Sequence, residues 1–244
     1  MAVYEEMAEC YDLIYGDSAD LGFYLTEARN ARGPVLEVAC GTGRILLAIL
    51  REGLDAQGID ASEAMLDVLR TKAKGMGLAP KVMAADMRDF KIGSKFRLII
   101  VPYRSFLHLP DTAARRQALS NMLDHLEKGG RLILHTYHPS EEEKLMTGDY
   151  HLFESERLRA PDGSDYELRW FLRYDPKNDE GHYKIVFEKG GKTREFTMDI
   201  RYAPEKEMRS LLKQCGFRNI RLYCGFEYSP PFEGCREMVW IAER

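Results

Sequence analysis

Short, almost wholly apolar runs alternate with stretches of helical spacing between residues 34 and 136. Val35-Leu36-Glu37-Val38-Ala39 reads as a buried strand, and Arg44 to Glu52 as a helix. Asp55 to Ile59 predicts a second strand, after which Ser62 caps a helix carrying Met65, Leu66 and Leu69 on one face. Lys81 to Ala84 and Phe96 to Val101 predict strands three and four. From Asp111, Leu119, Met122, Leu123 and Leu126 form one apolar stripe, giving a helix closed by Gly129-Gly130, with Arg131 to Thr136 as strand five. Nearly all-apolar strands separated by helices predict a parallel sheet covered on both faces, an α/β doubly wound fold.

The pattern changes after Pro139. Alternating, aromatic-rich runs at Tyr166 to Tyr174, His182 to Glu188 and Thr193 to Tyr202 are separated by turn residues. They predict an antiparallel β insertion over 150–203, serving as a substrate lid or a dimer contact. A helix over 204–215 follows, with Pro204 in its first turn and Gly216 as its stop. Asn219 to Cys224 and Glu237 to Ala242 supply two last strands. The core is thus expected from 1–149 and 204–244, with residues 1–31 as a helical cap built from helices at Tyr4–Ile14 and Leu21–Asn30.

Composition narrows the function. The 35 Lys plus Arg residues stand against 39 Asp plus Glu, so the charge near −4 argues against wrapping a nucleic acid. The five cysteines are scattered with no C-x-x-C pair, and are expected as reduced thiols with no metal site. The N-terminus lacks the basic and apolar regions of a signal peptide, and the apolar runs are far short of the ~20 residues that span a bilayer. A soluble, cytoplasmic protein without membrane contact is the expectation.

The chemistry concentrates where the leading strand enters Cys40-Gly41-Thr42-Gly43-Arg44. Gly41 and Gly43 permit a tight turn and let a ligand lie against bare backbone, and the next helix offers unpaired N–H groups. Asp60 ends the second strand, where an acid accepts both hydroxyls of a ribose. Asp86-Met87 ends the third, beside where an adenine would lie. One acid at each successive strand end plus the glycine turn suits an adenosine-containing ligand. A dinucleotide fits poorly, because Leu46 stands where G-x-G-x-x-G needs its third glycine.

These residues resemble the class I S-adenosylmethionine-dependent methyltransferases. Glu37-Val38-Ala39-Cys40-Gly41-Thr42-Gly43 is similar to the family's first motif, with Ala39 where glycine is common. Pro102 to His108 is similar to the segment lining the methyl-donor site, and Glu127-Lys128-Gly129-Gly130 to the turn before strand five. The resemblance implies a seven-stranded sheet of order 3-2-1-4-5-7-6, strand seven antiparallel. It also implies that S-adenosyl-L-methionine is the cofactor, S-adenosyl-L-homocysteine the product, and a small molecule accepting methyl on N or O the partner. The small-molecule enzymes with a β insertion after strand five, including sugar-amine N-methyltransferases, are the nearest subgroup.

By the same resemblance, the cofactor would lie against Tyr11, Tyr24, Glu37, Ala39, Cys40, Gly41, Gly43, Asp60, Ala61, Met65, Asp86, Met87 and Pro102. Tyr15 and Phe23 are read as helix core. Catalytic candidates are His138, His108 and Tyr103, with Arg104, Tyr137 and His138 toward the acceptor. His138 has the best position for a base, in the loop where a substrate would enter; His135 and His108 could equally be packed core residues. Arg104 would either bind an acidic group or make a surface salt bridge. Rival readings are a methyltransferase-like domain that binds without chemistry, and a nicotinamide-dependent oxidoreductase. The stretch Val101-Pro102-Tyr103 lacks the groups that DNA adenine and cytosine-C5 methylation need. A homodimer through the insertion is a further expectation.

Overall fold

The computed structural model describes residues 2–16 and 19–244. Three helices open the chain, α1 (Ala2–Met7), α2 (Tyr11–Ile14) and α3 (Leu21–Ala31), where the spacing predicts two. A turn closed by the Cys10 N–H on the Met7 carbonyl, 2.9 Å, splits the first. Then come β1 (Val35–Val38), α4 (Leu46–Arg51), β2 (Ala56–Asp60), α5 (Glu63–Gly75), β3 (Lys81–Ala84), β4 (Phe96–Val101), α6 (Thr112–His125) and β5 (Leu126–Tyr137). Beyond them lie α7 (Glu141–Lys144), β6 (His151–Arg159), β7 (Asp165–Asp175), β8 (Glu180–Lys189), β9 (Lys192–Arg201), α8 (Glu205–Gln214), β10 (Arg218–Cys224) and β11 (Glu237–Glu243).

Seven strands form one sheet in the order β10-β11-β5-β4-β1-β2-β3. β11 runs antiparallel to both its neighbours and the other pairings are parallel, so the expected order is borne out. The strand period of two explains the two cores. Leu36, Val38, Ile99, Val101, Leu132 and Leu134 bury one face, toward α6 and α8. Val35, Leu98, Ile100 and Ile133 bury the other, toward α3, α4 and α5. Each such side chain contributes about 1.5–3 kcal/mol on leaving water, which is why strands covered on both sides need so little alternation.

α6 stops at His125, not at the glycine pair. Leu126 is already extended at φ −77°, ψ 148°, and Gly129-Gly130 lies inside β5, which bulges against β4 there. A side chain at Gly130 would stand 3.0 Å from the Phe96 carbonyl, so the pair serves strand contact.

The second sheet has the antiparallel order β6-β7-β8-β9. Its edge strand β6 had no alternating signature because most of its side chains are exposed on both faces. The inner faces of β7, β8 and β9 bury Leu168, Leu172, Ile185 and Phe196 against the main core. The thiol expectation needs correction: Cys224 and Cys235 form a disulfide, Cα atoms 5.7 Å apart, at the base of the loop between β10 and β11. Antiparallel pairing of those strands brings together two residues whose spacing in sequence carries no such signal; Cys10, Cys40 and Cys215 are free. Among the described residues no helix is long and apolar enough to cross a membrane.

Candidate functional site

A cavity of about 940 Å³ opens at the carboxyl ends of the parallel strands, between the N-terminal helices and the second sheet. Its floor begins where β1 ends. Ala39 (φ 60°) and Gly41 (φ 53°) both take left-handed backbone, which brings the chain round in a tight turn and leaves Gly41 without a side chain in the cavity wall. Gly43, at φ 86°, does something different. A Cβ there would stand 2.7 Å from Leu69 Cγ, so it lets α5 pack on the turn and does not line the cavity.

Asp60 closes the turn from the next strand. Its Oδ2 accepts from the Gly41 N–H at 2.7 Å and its Oδ1 from the Ser62 N–H at 2.9 Å. Burial pushes its carboxyl up, against the pull of those N–H groups. Ser62 then accepts from the Met65 N–H as the cap of α5, which sets Met65 into the wall. At the end of β3, Asp86 is held by Arg88 through Nε, Nη2 and the backbone N–H at 2.9, 2.7 and 2.8 Å. The bond to that guanidinium lowers the Asp86 carboxyl below the usual range.

An aromatic roof covers this end. Tyr11 and Tyr15 stand one helical turn apart with ring centres 4.7 Å from each other, and Tyr15 packs edge-on to Tyr103 and to Trp170, both at 5.4 Å. Burial pushes the Tyr4, Tyr11 and Tyr15 phenols up, so all three keep their protons. Tyr103 and Arg104 are consecutive left-handed residues, φ 52° and 65°, the strained backbone that turns β4 toward the cavity. His108 follows in a short 3-10 turn. Its Nδ1 lies 3.1 Å from the Asp199 carbonyl, which can only accept, so Nδ1 carries the proton. Its Nε2, 2.7 Å from the Tyr4 hydroxyl, therefore accepts from it. Burial lowers His108 to about 4, leaving the ring neutral.

The far end is charged. Glu237, first residue of β11, bonds Arg104 through Oε1 and lies 2.6 Å from His135 Nε2 through Oε2. Burial works to raise Glu237, but His135 and Arg104 outweigh it and hold the carboxyl at about 2. Beside it, Glu143 accepts from Tyr137 Oη at 2.8 Å, Arg236 Nη2 at 2.7 Å and the Ser140 N–H at 2.6 Å. The second sheet completes the wall with Trp170, Tyr183, Met198 and Ile200.

Of the residues expected at the site, the cavity gathers Tyr11, Ala39, Gly41, Asp60, Ala61, Met65, Asp86, Met87, Tyr103, Arg104, His108 and Tyr137. Glu37, Cys40 and Pro102 line a small recess of about 30 Å³ behind the glycine turn, with Tyr11 and Gly41. Three are not brought to it. Tyr24 is fully buried on α3 against Phe23 and Phe226, on the face that packs on the sheet. Gly43 lies under α5. His138 continues the β11 pairing through its N–H to the Arg236 carbonyl; the Ser140–Glu143 capping box then turns the chain so that Glu143 enters the cavity instead. Tyr15, read as helix core, lines the cavity, whereas Phe23 is core.

Tyr4, Glu143, Arg236 and Glu237 went unseen in the sequence. For Glu237 a signal exists: the first residue of an antiparallel strand lies at the same sheet edge as the last residues of its parallel neighbours, and an acid there faces the ligand crevice.

Comparisons with known proteins bear on the family and the fold. The model of the methyltransferase domain family matches residues 35–130, the span from β1 into the start of β5. A dTDP-3-amino-3,4,6-trideoxy-alpha-D-glucopyranose N,N-dimethyltransferase of Streptomyces venezuelae is 30% identical over 135 residues, 52% of this chain and 55% of that protein. Three such relatives are spanned over only about half their length. A glycine/sarcosine N-methyltransferase of Parasynechococcus marenigrum (strain WH8102) is 28% identical over 92% of this chain and 76% of its own. Among solved structures, an S-adenosylmethionine-dependent methyltransferase from Clostridium acetobutylicum ATCC 824 superimposes with a TM-score of 0.80 at 19% identity, covering 98% of each chain.

Proposed function

We propose that this chain, whose residues 35–130 match the methyltransferase domain family, is a class I S-adenosylmethionine-dependent methyltransferase that moves a methyl group from S-adenosyl-L-methionine to a nitrogen or oxygen of a small-molecule acceptor. The observation that carries the reading is the Gly41–Asp60 pairing at the cavity floor. A left-handed glycine without side chain sits 2.7 Å from a half-buried carboxylate, on a strand-end turn open to a cavity large enough for two ligands.

The residues fit the cofactor. Asp60 has lone pairs left for the ribose hydroxyls, Asp86 and Met87 flank the adenine position, and the bare backbone at Gly41 admits the chain beyond. When bound, the cofactor supplies a methyl already activated by its positive sulfur. The protein's task is then alignment and exclusion of water, which can be worth ~7–11 kcal/mol. Tyr11, Tyr15, Tyr103 and Trp170 close over the reacting end, and their ring faces favour a cation.

An acceptor that arrives protonated must lose its proton first, a step a general base speeds ~10²–10⁴-fold. His108 and Tyr103 are the groups we place there. His108 is neutral above about pH 4, with its Nε2 lone pair reached through Tyr4. The β insertion forms the acceptor-side wall. The Streptomyces venezuelae relative is named for an amino sugar, which supports a small amine or hydroxyl as acceptor.

Isothermal titration with S-adenosylhomocysteine and with reduced nicotinamide dinucleotide tests this. The first is expected to bind and the second not; tight binding of the dinucleotide alone overturns the reading. Transfer of labelled methyl to any acceptor then separates an enzyme from a silent binding domain.

A further inference from the structure

The charged end of the cavity is unevenly satisfied. Both oxygens of Glu237 are engaged, one by Arg104 and one by His135. Glu143 is likewise held by Tyr137, Ser140 and Arg236. Both carboxylates thus already have partners on the protein. The guanidiniums are less fully engaged. Each has five N–H donors in a planar fork, yet Arg104 gives only Nη2 to Glu237, and Arg236 only Nη2, to Glu143 and the Tyr137 hydroxyl. The Nε and Nη1 groups of both make no hydrogen bond to any described residue, and both side chains line the cavity, 30% and 43% exposed.

The two cations also share one ring. The Arg104 guanidinium carbon lies 3.7 Å from the centre of Tyr137 and that of Arg236 lies 5.1 Å away. Like charges brought so close repel: burial and the Arg104 charge both lower Arg236. A third, anionic group between the forks would relieve the repulsion and take the idle donors.

We propose that Arg104 and Arg236 form an oxyanion clamp, so that the acceptor is a small molecule carrying a carboxylate or phosphoryl group as well as its nucleophile. Fork-to-oxyanion bonds are paired and directional, so the clamp fixes the acceptor's orientation as well as its charge. Anchored at Tyr137, its nucleophile reaches toward the Tyr103 end of the same cavity. The acceptor's role rests on the methyltransferase reading; the anion site does not.

The test titrates the S-adenosylhomocysteine-saturated protein with sodium acetate and, separately, inorganic phosphate at constant ionic strength. Calorimetry and the fluorescence of Trp170 are the readouts; Trp240 is buried and serves as a constant background. Saturable binding of at least one anion is expected, weakened about tenfold or more by Arg104→Ala and by Arg236→Ala. Arg236→Lys, which keeps charge and loses the fork, should fall between. Unchanged S-adenosylhomocysteine affinity in the variants certifies their fold. Stronger acetate binding identifies a carboxylate acceptor, stronger phosphate binding a phosphorylated one. No saturable binding of either, or binding indifferent to both alanine variants, overturns the clamp. Failure of the methyltransferase reading looks different: S-adenosylhomocysteine does not bind, while the anion still does.

Discussion

The two ends of the cavity are built in opposite ways. At the end we propose for the donor, Ala39, Gly41, Asp60, Met65, Asp86 and Met87 come from three consecutive strand ends within about fifty residues of chain. Each is fixed by its nearest neighbours: a left-handed turn, an N-cap, a carboxylate closing on a backbone N–H at the end of the adjacent strand. At the end we propose for the acceptor, Arg104, Tyr137, Glu143, Tyr183, Arg236 and Glu237 arrive from separate segments spread over more than half the chain. There the geometry is set by side chains holding one another. Local turns make a site that is recognisable in sequence. Long-range ion pairs make one that must be folded to be seen, and that can change its chemistry by single substitutions without disturbing the sheet.

If the donor end is backbone-defined, its most damaging change is one that alters backbone. Gly41→Val puts a β-branched side chain at φ 53°, where L-residues are strained, and its Cβ alone would already stand 3.3 Å from Met65 Cε in the cavity wall. S-adenosylhomocysteine binding is expected to fall by more than about a hundredfold, roughly 3 kcal/mol, with circular dichroism showing the sheet intact. A variant that still binds normally would mean the ligand lies elsewhere and the contrast between the two ends is misdrawn.

Asp60→Ala comes next. It removes the carboxylate that takes two backbone N–H groups and faces the cavity. Loss of hydrogen bonds to a charged group is worth about 1.5–3 kcal/mol, so S-adenosylhomocysteine should bind roughly 10- to 150-fold more weakly by calorimetry. Because anion binding at Arg104 and Arg236 uses different elements, acetate or phosphate affinity should not move. If both change together, the ends are one cooperative unit.

The same contrast explains what could be read from the sequence. The strands and helices of the parallel sheet, the cap at Ser62 and the residues of the Gly41–Asp60 floor were legible, since apolar runs and turn residues report local structure, while the sheet order followed only from the family resemblance. α6 was drawn too long because the apolar stripe runs through Leu126, and periodicity does not register that Leu126 has already turned into β5. β6 was invisible because it is an exposed edge strand, and hydrophobic alternation is only a record of burial. The Cys224–Cys235 bridge depends on the pairing of β10 with β11, and the Arg104–Glu237–His135 chain on strand register between distant segments. Nothing in the intervening residues encodes them.

His108 sits between the two ends, and its effect is smaller and pH-dependent. Burial holds it near 4 in the folded protein, against about 6.5 in an unfolded chain. The unfolded state therefore binds more protons between those values, and stability is present above pH 6.5 and lost as pH falls toward 4. At 1.36 kcal/mol per unit, reduced for a ring that borders the cavity, lowering pH from 7 to 5 should cost about 1–2 kcal/mol through this residue. Urea unfolding of His108→Gln should show a shallower acid limb than the parent by that amount. Parallel limbs would place the ring in water and free His108 from Tyr4.

The smallest expected effect falls on the residue the sequence favoured most as a base. His138 is one position beyond Tyr137, yet it does not line the cavity. Burial lowers it, Lys144 adds to the lowering, and Asp179, Glu141 and Glu143 pull the other way. His138→Ala should leave labelled-methyl turnover and S-adenosylhomocysteine affinity within about twofold of the parent across pH 6–9, a change of no more than about 0.4 kcal/mol. Should turnover instead drop on the acid side of that range while donor affinity holds, a titrating His138 would have to reach the acceptor. The capping box that directs Glu143 inward would then have to open during the reaction, and the acceptor end would be assembled by motion and not by the ion pairs that hold it in this structure.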